Sequence, residues 1–357
     1  MDVPIVPFDA KSATREEWRR FHAYRRLRHG ETDPEDPLAS DETVEAWMVH
    51  DHPHWESLHF AVLEPERTDV QIGEIALEFS RPGTPPHEKN EHLAWTGVEL
   101  LRPHRLRGIG RAMVRVVAEF SRVRGRSFIQ SWAEEEDGRA VAEAIGARVV
   151  QKRYENRLAL DVVDWPMVAR WAAEGPARSP STALRWYRDA VPEDVIDEYA
   201  RAFTEVFNGQ PFGEGAFQGI VTTPESFRDR AKMNADVRGT WLGAYTQEPD
   251  GEISGLTETF YVPDQSTFLG QGMTGVRTGH RGRGLGKWVK AAMLLRVRAD
   301  LPQVRIVRTG NAVENEAMLS INNRLGFRPH KHPVIVEITV DALEAWLAGA
   351  KAPASGP

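Results

Sequence analysis

Between residues 281 and 286 the chain reads Arg-Gly-Arg-Gly-Leu-Gly, just after Thr274-Gly275-Val276, which ends a strand pattern, and just before a stretch with helical spacing of apolar residues. Glycines at such a junction let the backbone approach a ligand, and the first free amides of a helix point into the gap with the positive end of the helix dipole behind them. That is phosphate-binding chemistry. Arg281, Arg283 and Lys287 add side-chain charge for a polyanion, the arginines in two-point geometry. Spacing removes two familiar phosphate loops. The dinucleotide fingerprint places its glycines first, third and sixth, whereas Gly282, Gly284 and Gly286 fall first, third and fifth. A nucleotide P-loop needs Ser or Thr after Gly-Lys to hold magnesium, and Trp288 follows Gly286-Lys287. A glycine-rich turn with solvated arginines is the remaining alternative.

The same phrase occurs earlier. Thr96-Gly97-Val98 precedes His104-Arg105-Leu106-Arg107-Gly108-Ile109-Gly110, as Thr274-Gly275-Val276 precedes His280-Arg281-Gly282-Arg283-Gly284-Leu285-Gly286, with two extra residues in the first copy. Gly286 lies 176 residues after Gly110. Ile72 to Phe79 has a counterpart in Ile253 to Phe260, and Ala144-Ile145-Gly146-Ala147 in Arg324-Leu325-Gly326-Phe327. A duplicated unit of this size matches one domain each. The small, Pro-containing segment Glu174 to Ser181 suits the join. The expectation is an N-terminal unit over 1–173, a linker over 174–185, a second unit over 186–350 and a loose tail over 351–357.

The elements that position the loop are readable in the second copy. Glu193 to Phe207 carries apolar residues three and four apart, as one helical face requires. Thr240 to Tyr245 and Ile253 to Val262 read as strands around the turn signal Glu248-Pro249-Asp250-Gly251. Lys287 to Ala299 is a predicted helix, Val304 to Val307 a strand, Asn315 to Leu325 a helix stopped by Gly326, and Val334 to Val340 a last strand. Strands pair early and alternate with helices late, which predicts a mixed α/β sheet.

The Arg-x-x-Gly-x-Gly loop after a Val-ended strand, with Asn315 and Leu325-Gly326-Phe327 at the following distances, resembles the acetyl-CoA site of the GCN5-related N-acetyltransferases (GNAT), and the duplication is similar to the tandem type exemplified by mycothiol synthase. The resemblance covers both halves and is stronger in the second. It implies two tandem GNAT-like domains, acetyl-CoA as acyl donor, and loop amides that hold the diphosphate. The donor's arm would pair with a splayed strand edge around Thr274 to Val276, so Thr274, Val276, Arg281, Gly282, Arg283, Gly284, Leu285, Gly286, Lys287 and Asn315 form the implied donor site. Val98, Arg105, Arg107, Gly108, Ile109, Gly110 and Arg111 are its counterparts in the first half. The family usually has Tyr four residues before the Gly of its Gly-Phe pair, where it protonates the leaving thiolate; this chain has Asn322. An amide donates a hydrogen bond but gives up no proton near neutral pH, so Asn322 is expected to orient the thioester. The first half has Ala142 there and Gly146-Ala147 for Gly-Phe. Chemistry is therefore expected in the second half, and donor binding or a structural role in the first.

An amine acceptor attacks only when neutral, so a base or a water chain to one is expected. Glu258 is the candidate: it alternates with Thr257 and Thr259 and shares a strand face with Leu256 and Phe260, which makes it either a functional buried group or a rim carboxylate. Glu78 is the nearby acid in the first copy. The alternate histidines His50, His52 and His54, in a group with His59, could bind zinc, but Pro53 and the absence of an obvious fourth ligand argue for an exposed loop, and no metal is expected. With 45 Lys+Arg against 52 Asp+Glu the net charge is −7, which speaks against a nucleic-acid partner. There is no cysteine, so disulfides and a thiol nucleophile are excluded. No leader pattern opens the chain, and no apolar run approaches the ~18 residues needed to cross a bilayer, which predicts a cytoplasmic protein without a membrane partner. The expected activity is direct transfer of an acetyl group from acetyl-CoA to a small-molecule amine in a ternary complex. The alternatives are a silent acyl-CoA sensor or scaffold, and N-acetylation of proteins or peptides.

Overall fold

The computed structural model of the chain describes residues 3–349, so the expected tail at 351–357 lies outside the described residues. In chain order the first elements are β1 (Ile5–Phe8), α1 (Arg15–Thr32), α2 (Asp41–Val49), β2 (Trp55–Glu64), β3 (Arg67–Ser80), α3 (Pro85–Asn90), β4 (Leu93–Leu100), α4 (Ile109–Val123), β5 (Phe128–Ala133), α5 (Glu136–Ala144) and β6 (Arg148–Ala159). The chain continues through α6 (Trp165–Arg178), β7 (Ala183–Arg188), α7 (Ile196–Asn208), α8 (Pro224–Asp236), β8 (Thr240–Gln247), β9 (Ile253–Tyr261) and β10 (Phe268–Val276). It closes with α9 (Leu285–Asp300), β11 (Ile306–Ala312), α10 (Glu316–Leu325), β12 (Arg328–Lys331), β13 (Val334–Thr339) and α11 (Val340–Leu347).

The expected elements of the second copy all form, displaced by a few residues at their ends. Local chemistry accounts for several boundaries. Thr14 and Glu17 make a reciprocal capping box at the start of α1, and Asn315 caps α10, its side chain accepting from the Met318 amide. Gly326 then takes φ 102°, ending α10 in the left-handed conformation.

Two compact units result. One comprises residues 3–152, Gly213–Gln218 and 333–349; the other comprises Arg153–Phe212 and Gly219–His332. In the first, the strands follow the order β1, β2, β3, β4, β5, β13 and the opening residues of β6, with β4 and β5 parallel. In the second, the closing residues of β6 pair with β11 and β12, and β10, β9, β8 and β7 follow, with β10 and β11 parallel. Each unit is thus the mixed sheet that the alternation of elements implied.

The division of contacts differs from contiguous halves at 174–185. Those residues hold the end of α6 and the start of β7, and α6 belongs to the second unit because it packs on α9. Gly175 makes that packing possible, since a Cβ there would sit 2.1 Å from the Trp288 ring. At the other end of the chain, Ile338 of β13 and Val340 and Leu343 of α11 complete the first unit's core with Ile75, Leu77, Met113 and Ile129. The repeat in the sequence and the division in space therefore part company in the closing strand of each unit.

The tight α6–α9 contact gives a stability prediction. Gly175→Ala gains helix propensity yet should lower stability by about 1–3 kcal/mol through overpacking. Gly30→Ala in α1, with nothing within 4 Å of its Cβ, should raise stability by about 0.5–1 kcal/mol. Urea unfolding of the two variants reads both signs.

Candidate functional site

In the second unit β10 and β11 pair at Phe268–Ile306, Leu269–Val307 and Gly270–Arg308 and then separate. β10 stays on β9 but slips register between Gln271 and Thr274, so that Gly272 and Met273 form a bulge beside the opening. Side chains brace the point of separation. Gln271 Nε2 donates to Thr257 Oγ1 at 3.1 Å, Thr274 Oγ1 at 3.2 Å and the Glu258 carbonyl at 2.6 Å. The Thr274 hydroxyl is thereby engaged, at 2.8 Å from that of Thr257.

From Val276 the chain turns into the glycine loop. Gly282 and Gly284 both take φ 82°, a left-handed conformation that side chains resist. Gly284 is the cap residue of α9 and offers no side chain to the helix. The first backbone bond of α9 runs from Trp288 N to Gly284 O at 3.1 Å, so the amides of Leu285, Gly286 and Lys287 have no partner within the helix. Three donors at the positive end of a helix dipole fit an anion. Arg281 is exposed and donates only to carbonyls, Val276 O at 3.3 Å and Gly209 O at 3.2 Å. Lys287 lies over the Trp171 ring at 5.5 Å. These two cations have no carboxylate partner among the described residues. Arg283 differs from its expected grip on phosphate, since it pairs with Glu248 at 2.9 Å and donates to Thr182. Burial pushes Glu248 up, but its bonds from Arg283, Ser254 and Thr182 hold it below the ordinary carboxylate range. Asn315 acts as the cap of α10, and Val276 packs with Leu285, Trp288 and Ala292.

The first unit repeats the loop with two of its three arginines, Arg105 and Arg111, already engaged. Gly108 has φ 82°, but the counterpart of Gly282 is Leu106, held at φ 60° and 103% exposed. Arg111 N bonds to Gly108 O, leaving only the amides of Ile109 and Gly110 without a partner in the first turn of α4. Arg105 donates to Glu135 at 2.8 Å and Asp137 at 2.7 Å, and Arg111 donates to the Trp346 and Leu347 carbonyls at the end of α11. Arg107 is exposed and Val98 lies on β4 opposite Ile75. β4 and β5 also separate, beyond Thr96–Ser131, but residues 213–218 lie on that sheet. The Ala216 amide donates to Glu337 at 2.6 Å, the Gln218 amide to Asn90 at 3.0 Å, and Phe217 meets Trp95 edge-on at 6.0 Å. Ala142 is buried beside Ala133 and Val336.

Glu258 is buried rather than at a rim, at 2% exposure. Arg230 of α8 donates to both its oxygens, at 3.0 and 3.3 Å. The bulge brings Gly272 so near that a Cβ there would meet Glu258 Oε1 at 3.1 Å. Burial raises the carboxyl above its ordinary value, against the opposing pull of Arg230, the Met273 amide and the Trp241 indole. The Arg230 guanidinium is itself enclosed by the rings of Phe203, Phe227, Trp241 and Phe260 at 5.4–5.7 Å. On the opposite face, where Thr259 touches Met293 of α9, Asn322 of α10 is 1% exposed. Its Oδ1 accepts from Lys290 Nζ at 2.5 Å and its Nδ2 donates to Asn311 Oδ1 at 2.7 Å.

Arg230, Gln271, Asn311 and Lys290 escaped the sequence reading. Only Lys290 left a signal, as a charge within the stripe Gly286, Val289, Lys290, Met293, Leu294 and Val297. In the first unit Glu78 is exposed on β3, and His59 is paired with Glu74 at 3.0 Å. Among the described residues no cluster of three or more His, Asp or Glu could hold a metal, and no helix is long and apolar enough to cross a membrane.

Comparison with solved structures shows the fold. A tandem GNAT protein from the clavulanic acid biosynthesis pathway superposes with a TM-score of 0.75 at 22% identity, over 95% of this chain and 99% of that one. A GCN5-related N-acetyltransferase from Sphaerobacter thermophilus gives 0.59 at 17% identity, over 95% and 96%. One from Kribbella flavida gives 0.50 at 14% identity, over 95% of this chain and 72% of that one. No protein-family model matches the chain, and no curated protein does. The chain has the fold of the GCN5-related N-acetyltransferases, in its tandem form.

The Arg230–Glu258 pair predicts a pH-dependent loss. Arg230→Met leaves a buried carboxylate unpaired, a penalty of ~2–3 kcal/mol once the partial exposure of Arg230 is discounted. The folded value of Glu258 is already raised, so its contribution is complete below the ordinary carboxylate value and is lost as pH rises through the folded one. Removing Arg230 raises it further. Urea unfolding should therefore show a larger deficit at pH 7.5 than at pH 5, and equal deficits would contradict this account.

Proposed function

We propose that the second unit is an acetyl-CoA-dependent N-acetyltransferase that acts on a small-molecule amine by direct attack in a ternary complex. The observation that carries this reading is the parallel pair β10–β11 opening beyond Gly270–Arg308 directly ahead of the three unpartnered amides of α9. A thioester arm can enter the opening while its diphosphate meets Leu285, Gly286 and Lys287 N–H, with Arg281 and Lys287 supplying charge. The residues present fit that group, because the loop's unanswered charge is cationic. When bound, the donor supplies an activated acyl carbon and a thiolate leaving group. Proximity and hydrogen bonding to the developing oxyanion, from the Val276 amide or a neighbour on β10, provide most of the acceleration.

Glu258 is the base in this reading, supported by its burial beside the β10 bulge and its raised carboxyl. The first unit is a structural partner, supported by Arg105 answered by Glu135 and Asp137 and by residues 213–218 on its sheet. Nucleic acid and membrane have no part in the proposal, in keeping with the net charge of −7. A cytoplasmic setting belongs to it too, supported by the cysteine-free sequence.

Isothermal calorimetry should find one acetyl-CoA site per chain. Gly284→Val, which forces a side chain into the left-handed conformation at the α9 cap, should lower affinity at least tenfold, and Gly108→Val should leave it unchanged. Thermal melting of both variants checks that the fold persists. Unchanged affinity in Gly284→Val would sink the assignment. Thiol release with a panel of amino acids, polyamines, amino sugars and peptides should find a small amine. Saturable binding with no release on any acceptor would make the chain a sensor, and release on peptides alone would make it a peptide acetyltransferase.

A further inference from the structure

Lys290 has no role in the reading above, yet its placement is costly. It is 1% exposed in the interior of α9, and no carboxylate lies within ion-pair distance of it among the described residues. A buried cation normally has an anionic partner or a job. Its ammonium donates to Asn322 Oδ1 at 2.5 Å, stands 3.9 Å from the Met318 sulfur and lies 4.9 Å from the centre of the Phe327 ring. An ammonium can only donate, so it fixes which way the Asn322 amide is turned: oxygen to Lys290, nitrogen away. One Nδ2 hydrogen goes to Asn311, which also accepts from Asn156 at 3.3 Å. The other has no acceptor among the described residues.

We propose that Lys290, in its ammonium form, is a positioning residue that locks Asn322 and makes its free amide hydrogen a charge-backed donor to the sulfur of the acyl donor. The inference rests on the acetyl-CoA reading of the second unit. In the transfer the amine lone pair forms the C–N bond at the thioester carbon, the C–S bond breaks with its electron pair on sulfur, and the amine's proton leaves to Glu258 or solvent. No proton has to reach sulfur during that step. The thiolate is met instead by an N–H whose oxygen end is held by a positive charge, and so a chain with Asn where the family has Tyr can release a thiolate.

Burial alone lowers Lys290, from its ordinary value to about 7. The groups that face it are neutral: Asn322 and Met318 of α10, Phe327, and at one remove Asn311 of β11 and Asn156 of β6. Neither α6 nor β8, β9 and β10 adds a charge that moves it, for Glu258 of β9 points to the opposite face. A depressed lysine penalises the fold as pH falls from the unfolded value toward the folded one, because only the unfolded chain takes up the proton there. Lys290→Met should therefore stabilise the fold most at or below neutral pH while impairing function, a combination that a packing role would not give.

Three readouts test this on the full chain. Wild type should bind CoA at least tenfold more tightly than desulfo-CoA by calorimetry at pH 6.5, and Lys290→Met should bind the two within about twofold of each other. With the best amine of the panel, Lys290→Met and Asn322→Ala should each lower kcat about 10–100-fold with KM for acetyl-CoA changed less than threefold. The fall of wild-type kcat above about pH 7 should vanish in Lys290→Met. Equal CoA to desulfo-CoA ratios in wild type and Lys290→Met overturn the inference. So does a Lys290→Met variant that is less stable with kcat intact. Were Lys290→Met not to fold, the wild-type ratio and the pH profile of Asn322→Ala would decide the matter. A wild type that binds neither CoA nor desulfo-CoA sinks the acyl-transfer reading itself, whereas equal binding of both sinks only the role of Lys290.

Discussion

The second unit depends on a strand pair that is allowed to fail. β10 and β11 hold one another for three residues and then part, so that a sheet which would otherwise be continuous there presents a backbone edge. An open edge in a protein interior is a liability unless something braces or fills it. Here Gln271, Thr257 and Thr274 brace it with hydrogen bonds across the β9–β10 register slip. α9 begins after the glycine loop that follows β10, and its first three amides have no partner within the helix. The loop, the bulge beside Glu258 and the Asn322 network all take their meaning from that single parting of strands.

The two units show how one architecture can keep its form and change its electrostatics. Both have a parallel pair that opens and a helix capped by a left-handed glycine. In the first, carboxylates occupy the loop arginine, a second arginine caps a neighbouring helix, and a short segment rests on the sheet. In the second, Arg281 meets only carbonyls. The difference lies in which partners the charges already have, and the glycine pattern that both loops share does not reveal it.

Residues that act through local backbone geometry were legible in the sequence. The glycine loop, the Asn315 and Gly326 ends of α10, and the alternation that put Glu258 with Leu256 and Phe260 all follow from short-range rules and reappear as observed. Residues that act through tertiary partners were not. Arg230 gains its place from four rings on α7, α8, β8 and β9, and no spacing along the chain encodes that enclosure. Arg283 looked like a phosphate ligand because its type and position allow it, yet Glu248, 35 residues earlier, holds it. Val334–Thr339 reads as a strand in any sheet, since a period of two carries no information about which neighbours it will join. That is why the unit boundaries could not be read from the repeat.

The exchange of closing segments bears on how the chain is made. β13 fills the place between β5 and β6, and α11 lies against α4, so the first unit's sheet keeps a vacant slot while nearly all of the second unit is being translated. A ribosome releasing this chain in order cannot deliver a finished first unit before residues 334–347 emerge. Its maturation therefore waits on the synthesis of β13 and α11, and severing the gene between the two copies of the repeat would orphan a strand from each product.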